Sequence, residues 1–251
     1  MNMISAQKST EHAAFTTEDS THYEGRDLEA MSFAKNYYQW LEGFFAPYFR
    51  GRGIEVGAGS GNFTEMLLVH DFTSLVALEP SETMFALLKE RFSGNPKVTA
   101  RNSTLSKICT EFSASFDTVV YINVLEHIEN DGEEMAYANQ ILKKGGHLCI
   151  FVPALPWLYS SFDKSVGHYR RYYKRDVERL LESKGFEIVQ SSYFDIAGIL
   201  PWLIFFTLGG LTLSGGKTKA YDRYIVPIMS RIEAYLPIPM GKNIIVVAQK
   251  R

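Results

Sequence analysis

Apolar and polar positions along this chain fall into blocks that switch between strand and helix periods. Residues 53–56, 74–78, 97–100, 116–122 and 146–152 are short runs rich in β-branched or continuously apolar side chains, and each predicts a strand. Between them, residues 62–69, 81–92 and 126–142 repeat apolar positions at helical spacing, and a helical or irregular piece reaches about Phe112. Ser81 suits the N-cap of the second helix, with Met84, Leu87 and Leu88 on its inner face. The third is expected to stop at Gly145-Gly146, with Lys143 and Lys144 in its last turn, where positive charge is favoured. Strands separated by helices imply βαβ units, hence a doubly wound α/β fold with a mostly parallel sheet and helices on both faces.

The flanks are less regular. Residues 1–25 are polar and aperiodic and read as a disordered tail. Residues 27–49 predict an N-terminal helical cap in two pieces, broken near Gly43 or Pro47. After an aromatic loop at 153–173 come a helix at 175–184, with Val177, Leu180 and Leu181 inward, and a strand from Phe186 towards Tyr193. A largely helical insertion or lid spans 196–241, before a final strand at 242–249. The economical account is one domain, 26–251, on seven strands. Within the insertion, residues 196–213 carry no charge and approach the roughly 20 apolar residues of a membrane span. Pro201 and Gly209-Gly210 interrupt the run, and Lys217, Lys219, Asp222 and Arg223 follow it. A buried helix or an apolar lid is therefore expected rather than a transmembrane span, with contact to a membrane surface or a partner left open.

Composition narrows the partners. A chain of 251 residues with a net charge of −2 and one short basic cluster, residues 170–175, offers no stripe for nucleic acid. Two cysteines, Cys109 and Cys149, make no disulfide framework, and no basic-then-apolar leader opens the chain; a reduced, cytoplasmic protein is expected, monomeric or homodimeric.

The chemistry starts at Ile54-Glu55-Val56-Gly57-Ala58-Gly59-Ser60-Gly61, three glycines between a strand and a helix. Such a turn lets backbone approach a ligand that a Cβ would exclude. The second strand then ends in Leu78-Glu79-Pro80, an acid suited to ribose hydroxyls. A dinucleotide fold wants G-x-G-x-x-G, but here the third glycine, Gly61, comes one position early.

The G-x-G-x-G form behind Glu55 resembles motif I of class I S-adenosylmethionine (SAM)-dependent methyltransferases. The likeness runs from about Met31 to Gln190 and leans towards the small-molecule type of ubiquinone and menaquinone biosynthesis. Residues 31–40 look like the helix over the cofactor, and Asn102-Ser103-Thr104-Leu105 stands where the family contacts adenine. The segment from Phe116 through Asn123-Val124-Leu125-Glu126-His127-Ile128 looks like motif IV and its sequel. Leu142-Lys143-Lys144-Gly145-Gly146 matches the family's L-x-P-G-G turn except for Lys144 in place of proline. The resemblance implies SAM as cofactor, held by Tyr37, Glu55, Gly57, Ala58, Gly59, Gly61, Glu79, Pro80, Met84, Asn102, Ser103, Thr104, Leu105, Asn123, Val124 and Leu125.

Methyl transfer is an in-line displacement, so alignment and exclusion of water dominate, and a proton acceptor helps when a hydroxyl is methylated. His127, just past the fourth strand, and His168 in the loop after the fifth are the candidate catalytic bases; a surface histidine at a helix start is the alternative for His127. Asp163-Lys164-Ser165-Val166-Gly167-His168-Tyr169-Arg170-Arg171-Tyr172 resembles a segment of some small-molecule methyltransferases. Asp163, His168, Arg170 and Arg171 there suit a polar or anionic substrate group, unless the arginines only form a solvated helix start and Asp163 caps a turn. Tyr159 and Trp202 are further substrate candidates, although aromatics at such spacing, Trp157, Phe162, Phe205 and Phe206 among them, are read first as packing.

The expected activity is methylation of an oxygen or nitrogen on a small biosynthetic intermediate with an apolar or aromatic body. A nicotinamide oxidoreductase fits the glycine spacing poorly, and a nucleic-acid amino-methyltransferase would need a proline-aromatic block after the fourth strand. No set of Asp and Asn metal ligands assembles, so no metal is expected. A catalytically inactive SAM-fold subunit acting through residues 196–213 is the rival of a different kind.

Overall fold

In the computed structural model, residues 34–208 and 215–251 are described. The tail expected at 1–25 and the first residues of the helical cap expected over 27–49 lie outside them. The strands are β1 (Arg50–Val56), β2 (Asp71–Leu78), β3 (Val98–Arg101), β4 (Phe116–Ile122), β5 (Leu142–Pro153), β6 (Phe186–Phe194) and β7 (Asn243–Lys250). They form one sheet in the order β3-β2-β1-β4-β5-β7-β6, parallel except for β7, which runs antiparallel to both its neighbours. This is the expected seven-stranded, mostly parallel α/β fold. The central strands read as unbroken apolar runs because helices cover both faces: Val119 to Tyr121, Leu148 to Val152 and Ile244 to Ala248 are all buried.

Chain order reverses direction between β1 and β4, which pair in register from Gly53 opposite Thr118 to Val56 opposite Tyr121. From β1 the chain continues to β2 on one side and from β4 to β5 on the other, and such a switch point is where the crevice used for ligands opens. The helices that follow are α1 (Lys35–Phe45, preceding β1), α2 (Asn62–Leu67), α3 (Glu82–Arg91), α4 (Leu105–Ile108), α5 (Asp131–Ile141), α6 (Ser161–Ser165) and α7 (Lys174–Ser183). The break after α1 falls at the Pro47 alternative, as a 3-10 turn over Ala46–Tyr48. Ser81 caps α3, its hydroxyl accepting from the Met84 amide. Leu87, expected inward, is 47% exposed; Met84 and Leu88, four apart, together with Phe92 already define the buried stripe.

One boundary departs from expectation in a telling way. The helix expected over 126–142 begins only at Asp131, capped by Asn130, after a separate 3-10 turn at Leu125–His127. It ends at Ile141, before the glycines, and Leu142 to Lys144 already belong to β5. Gly146 serves close packing there instead: a Cβ would come within 2.9 Å of Leu142 Cδ2 and the Lys143 carbonyl.

Between β6 and β7 lie α8 (Ile199–Trp202), a wider π-type stretch (Leu203–Leu208), α9 (Gly215–Ala220), a second such stretch (Tyr221–Ile225) and α10 (Val226–Tyr235). Among the described residues no helix is long and apolar enough to cross a membrane. The apolar run is not simply buried either: Trp202 and Phe206 face inward, while Leu200, Ile204 and Leu208, spaced four apart, face out. The insertion is tied to α1 by Asp222, whose carboxylate accepts from the backbone amides of Asn36 (3.2 Å) and Tyr37 (2.8 Å). The N-cap residue of α1, Ala34, has no side chain to offer these amides, so Asp222 does its work from the far end of the sequence.

Candidate active site

The loop after β1 is held open by its own backbone. Gly57, Gly59 and Gly61 all have positive φ, at 72°, 56° and 86°. At Gly57 a Cβ would lie 2.5 Å from Val124 Cγ2, so the loops leaving β1 and β4 touch through the missing side chain. Asn123, just before Val124, is itself left-handed at φ 53° and donates its amide to the Phe151 carbonyl (2.9 Å). The switch point thus has three neighbouring strand ends tied together: β1, β4 and β5.

Glu79, at the end of β2, bridges to the same loop. One carboxylate oxygen accepts the Gly59 amide at 2.7 Å and the other the Ser81 amide at 2.8 Å. Burial raises its pKa, and these two amides oppose that rise. A carboxylate has about four acceptor positions, so each oxygen can still take a hydroxyl proton. Asn102, after β3, donates to the carbonyls of Glu79 (2.9 Å) and Pro80 (3.1 Å) and so fixes the acid's backbone. Ser103 and Thr104 follow it, half-buried, with Ser103 donating to the Thr104 carbonyl; Leu105, the first residue of α4, is wholly buried, and Met84 and Ala58 are buried as well.

Glu55 serves the loop from below. It is buried, accepts the Thr64 hydroxyl at 2.6 Å, and is pushed up to about 8 by desolvation, with Thr64 opposing. At neutral pH its carboxyl is therefore protonated, and it clamps α2 to β1 as a neutral group. Tyr37 sits in an aromatic cluster with Trp40, Phe151 and Phe194, its hydroxyl accepting from Asn243 at 2.6 Å.

Beyond the end of β4 the two candidate histidines meet. Their ring centroids are 4.6 Å apart and the planes nearly perpendicular, at 82°. The backbone makes the meeting possible: the Tyr169 amide donates to the Glu126 carbonyl (2.8 Å), joining the loops after β4 and β5. His168 Nδ1 lies 2.9 Å from Asp163. Asp163 is fully buried and also accepts from the Ser160 amide and hydroxyl (2.8 and 2.9 Å) and from Arg171 Nε (2.8 Å). Burial pushes the Asp163 pKa up, but these donors outweigh it and hold the carboxyl below its usual range. His127, expected to titrate near neutrality, is instead depressed to about 3, by burial first and then by His168 beside it; a hydrogen bond to the Gly167 backbone only partly offsets this.

Both arginines are paired with carboxylates. Arg171 is buried, donates to the Ala154 carbonyl (3.2 Å) as well as to Asp163, and lies 4.4 Å above the Trp202 ring, so the solvated helix start does not describe it. Arg170 pairs with Asp131 at 2.8 Å and also donates to the Glu129 carbonyl. Tyr159 is partly exposed and donates to the His168 carbonyl (2.6 Å), and Trp202 donates to the Leu158 carbonyl (3.1 Å). A cavity of about 520 Å³ lies off this centre, against α7 and Tyr193, and is lined by none of these residues. Glu126 is the residue that sequence reasoning passed over: fully buried, it has one carboxylate oxygen 3.9 Å from His168 Nε2. Nothing in its local sequence marks it, because the loop it faces is about forty positions away.

Comparison with known proteins agrees with this architecture. A family described as a methyltransferase domain matches residues 15–191, well over half of the chain. The chain belongs to that family and is a SAM-dependent methyltransferase by class. More particularly, it is 27% identical over 108 residues to a ubiquinone biosynthesis O-methyltransferase of Paracidovorax citrulli, an overlap of 43% of this chain and 45% of the relative. The matched stretch thus spans less than half of that relative's length. Among solved structures, a SAM-dependent methyltransferase of Mesorhizobium loti superposes with a TM-score of 0.61 at 15% identity, over 86% of this chain and 98% of that one. Phosphoethanolamine N-methyltransferase 2 of Haemonchus contortus, in complex with SAM, gives 0.62 at 14%, over 95% of this chain and 60% of that one. At these identities the likeness concerns the fold.

Proposed function

We propose that this protein transfers a methyl group from SAM to an oxygen or nitrogen of a small molecule with an apolar or aromatic body. The observation that carries the proposal is the Glu79–Gly59 bond, which joins the acid of β2 to the glycine loop of β1 across 20 residues. In this reading the amides of residues 57–61 and the Glu79 carboxylate hold the adenosyl part, with Asn102, Ser103, Thr104 and Leu105 beside the base. Asn123, Val124 and Leu125 form the floor between cofactor and acceptor, and Glu55, Ala58, Pro80, Met84 and Tyr37 shape the walls from behind. SAM supplies an electrophilic methyl when bound. The rest falls to the chain's own groups, which align the acceptor and keep water out.

An acceptor hydroxyl must lose its proton, and in this reading His127 and His168, beyond Val124, bring that about. Asp163 and Arg171 hold His168 in position, while Tyr159, Arg170 and Trp202 border the approach to it. The match to an O-methyltransferase supports oxygen as the target. Calorimetry with SAM and S-adenosylhomocysteine tests the cofactor site: Glu79→Gln turns a donor towards the Gly59 amide and should weaken both at least tenfold. Unchanged affinity, or binding of NAD in place of SAM, would overturn the reading.

A second reading attaches to the exposed row Leu200, Ile204 and Leu208, which suits contact with a partner or a membrane surface. Charging the middle of the row with Ile204→Glu should abolish co-sedimentation with anionic vesicles or self-association while leaving SAM affinity intact. A protein monomeric and vesicle-indifferent before the change removes this reading.

A further inference from the structure

Glu126, His127 and His168 bring one ligand atom each into a group whose members all lie within 4.8 Å of one another. The three come from two loops, after β4 and after β5, and the Tyr169–Glu126 backbone bond holds those loops together. On His168 one ring nitrogen, Nδ1, is engaged by Asp163, leaving Nε2 directed at Glu126, 3.9 Å away. On His127 the Gly167 backbone takes a hydrogen bond, and Nδ1 lies on the Gly167 side, 3.8 Å from where a Cβ would stand. A carboxylate that fixes one imidazole nitrogen so that the other presents its lone pair is the outer-shell arrangement of metal-ligating histidines. Asp163 is itself immobilised by Ser160 and Arg171, so the histidine it orients is held rigidly.

We propose that Glu126, His127 and His168 bind a divalent first-row transition metal whose open positions face the methyl acceptor. Two nitrogens and one carboxylate oxygen favour zinc, iron or manganese over calcium or magnesium, which prefer all-oxygen shells. Three protein ligands, rather than four, leave room for a substrate oxygen, as in catalytic rather than structural sites. Metal–ligand bonds of about 2.0–2.2 Å put neighbouring ligand atoms roughly 3.3–3.5 Å apart, so the His168–Glu126 gap needs to close by only about half an ångström.

The inference rests on the methyltransfer reading and specifies how the acceptor is activated. The acceptor's O–H bond breaks as its oxygen coordinates, and the proton leaves to solvent. The oxygen lone pair then forms the new C–O bond while the C–S bond breaks, and S-adenosylhomocysteine departs. In this scheme the histidines act as ligands rather than as bases.

The full chain, stripped with a chelator, is titrated with Zn²⁺ by calorimetry and with Co²⁺ by visible absorption. The expected result is one metal per chain with a nitrogen-coordinated Co²⁺ spectrum, lost or weakened at least a hundredfold in His127→Gln, which leaves the Asp163–Arg171 pair untouched. Asp163→Asn, checked for folding by circular dichroism, should weaken binding about 10–100-fold as an orienting residue. Absence of the Co²⁺ spectrum in the wild type, or equal binding by His127→Gln, overturns the site. Equal turnover with and without metal overturns the activation step. A parallel SAM titration separates the two readings: SAM binding without metal binding defeats only this inference, whereas metal binding without SAM binding defeats the methyltransferase reading on which its chemistry rests.

Discussion

Placing a methyl group on Gly57 tests the contact between the loops of β1 and β4. Gly57→Ala carries two costs that arise from different atoms. The left-handed backbone, at φ 72°, costs an alanine about 1–2 kcal/mol. The collision with Val124, 2.5 Å to Cγ2 and 3.0 Å to Cγ1, adds about 1–3 kcal/mol as overpacking. A total loss of roughly 2–5 kcal/mol follows, read as a lower urea midpoint at unchanged m-value. Val124→Ala removes both colliding carbons, so in the double variant the collision vanishes while the backbone cost stays. The cycle should therefore show a favourable coupling of about 1–3 kcal/mol. SAM affinity should fall in Gly57→Ala and recover in part in the double variant. Additive losses would show that the two loops do not meet through this glycine, and the account of the switch point would be wrong.

Three further outcomes are expected. Asp222→Ala uncaps α1 and should cost about 0.5–2 kcal/mol by urea denaturation, with Asp222→Asn recovering part; a loss below a few tenths would contradict the cap. Glu55, raised to about 8, stays protonated in the fold while the unfolded chain ionises near its ordinary 4.5, so this group favours folding most at low pH and its contribution falls as pH rises from about 5 to 8. Glu55→Gln should flatten that decline by at most about 1.4 kcal/mol per pH unit, and identical slopes would refute a buried neutral acid. Glu233, which accepts the amides of Asp195 and Ile196 and is raised to about 7 by burial, contributes in the same sense; Glu233→Gln should be flatter between pH 5 and 7 but not above, and a change confined to alkaline pH would count against it.

Much of this was legible in the chain itself. The period of the apolar positions located all seven strands, most plainly β4, β5 and β7, where burial on both faces leaves a run that little else imitates. The glycine spacing and Glu79 are local features, and a reader needs only adjacent residues to see them. What escaped depends on distance. Gly145-Gly146 looks like a helix stop, yet Leu142 pairs with Phe116 and draws its segment into β5 before the glycines are reached. Arg171 looks like a solvated cation until the burial of Asp163 is known. Glu126 gains meaning only when the loop after β5 folds back, and Asp222 only when the insertion reaches α1. The depressed proton affinity of His127 is likewise a property of its surroundings, which no stretch of sequence around it displays.

The carboxylate that completes the first turn of α1 lies 185 positions later than the amide it receives. At ribosomal rates of about 5–20 residues per second, that amide waits roughly 10–40 s before its acceptor is made. A helix synthesised ahead of the whole sheet is therefore among the last to be consolidated. A nascent chain stalled or cut before the insertion emerges would carry a loose α1 over a sheet still lacking β7, a natural mark for quality-control proteases.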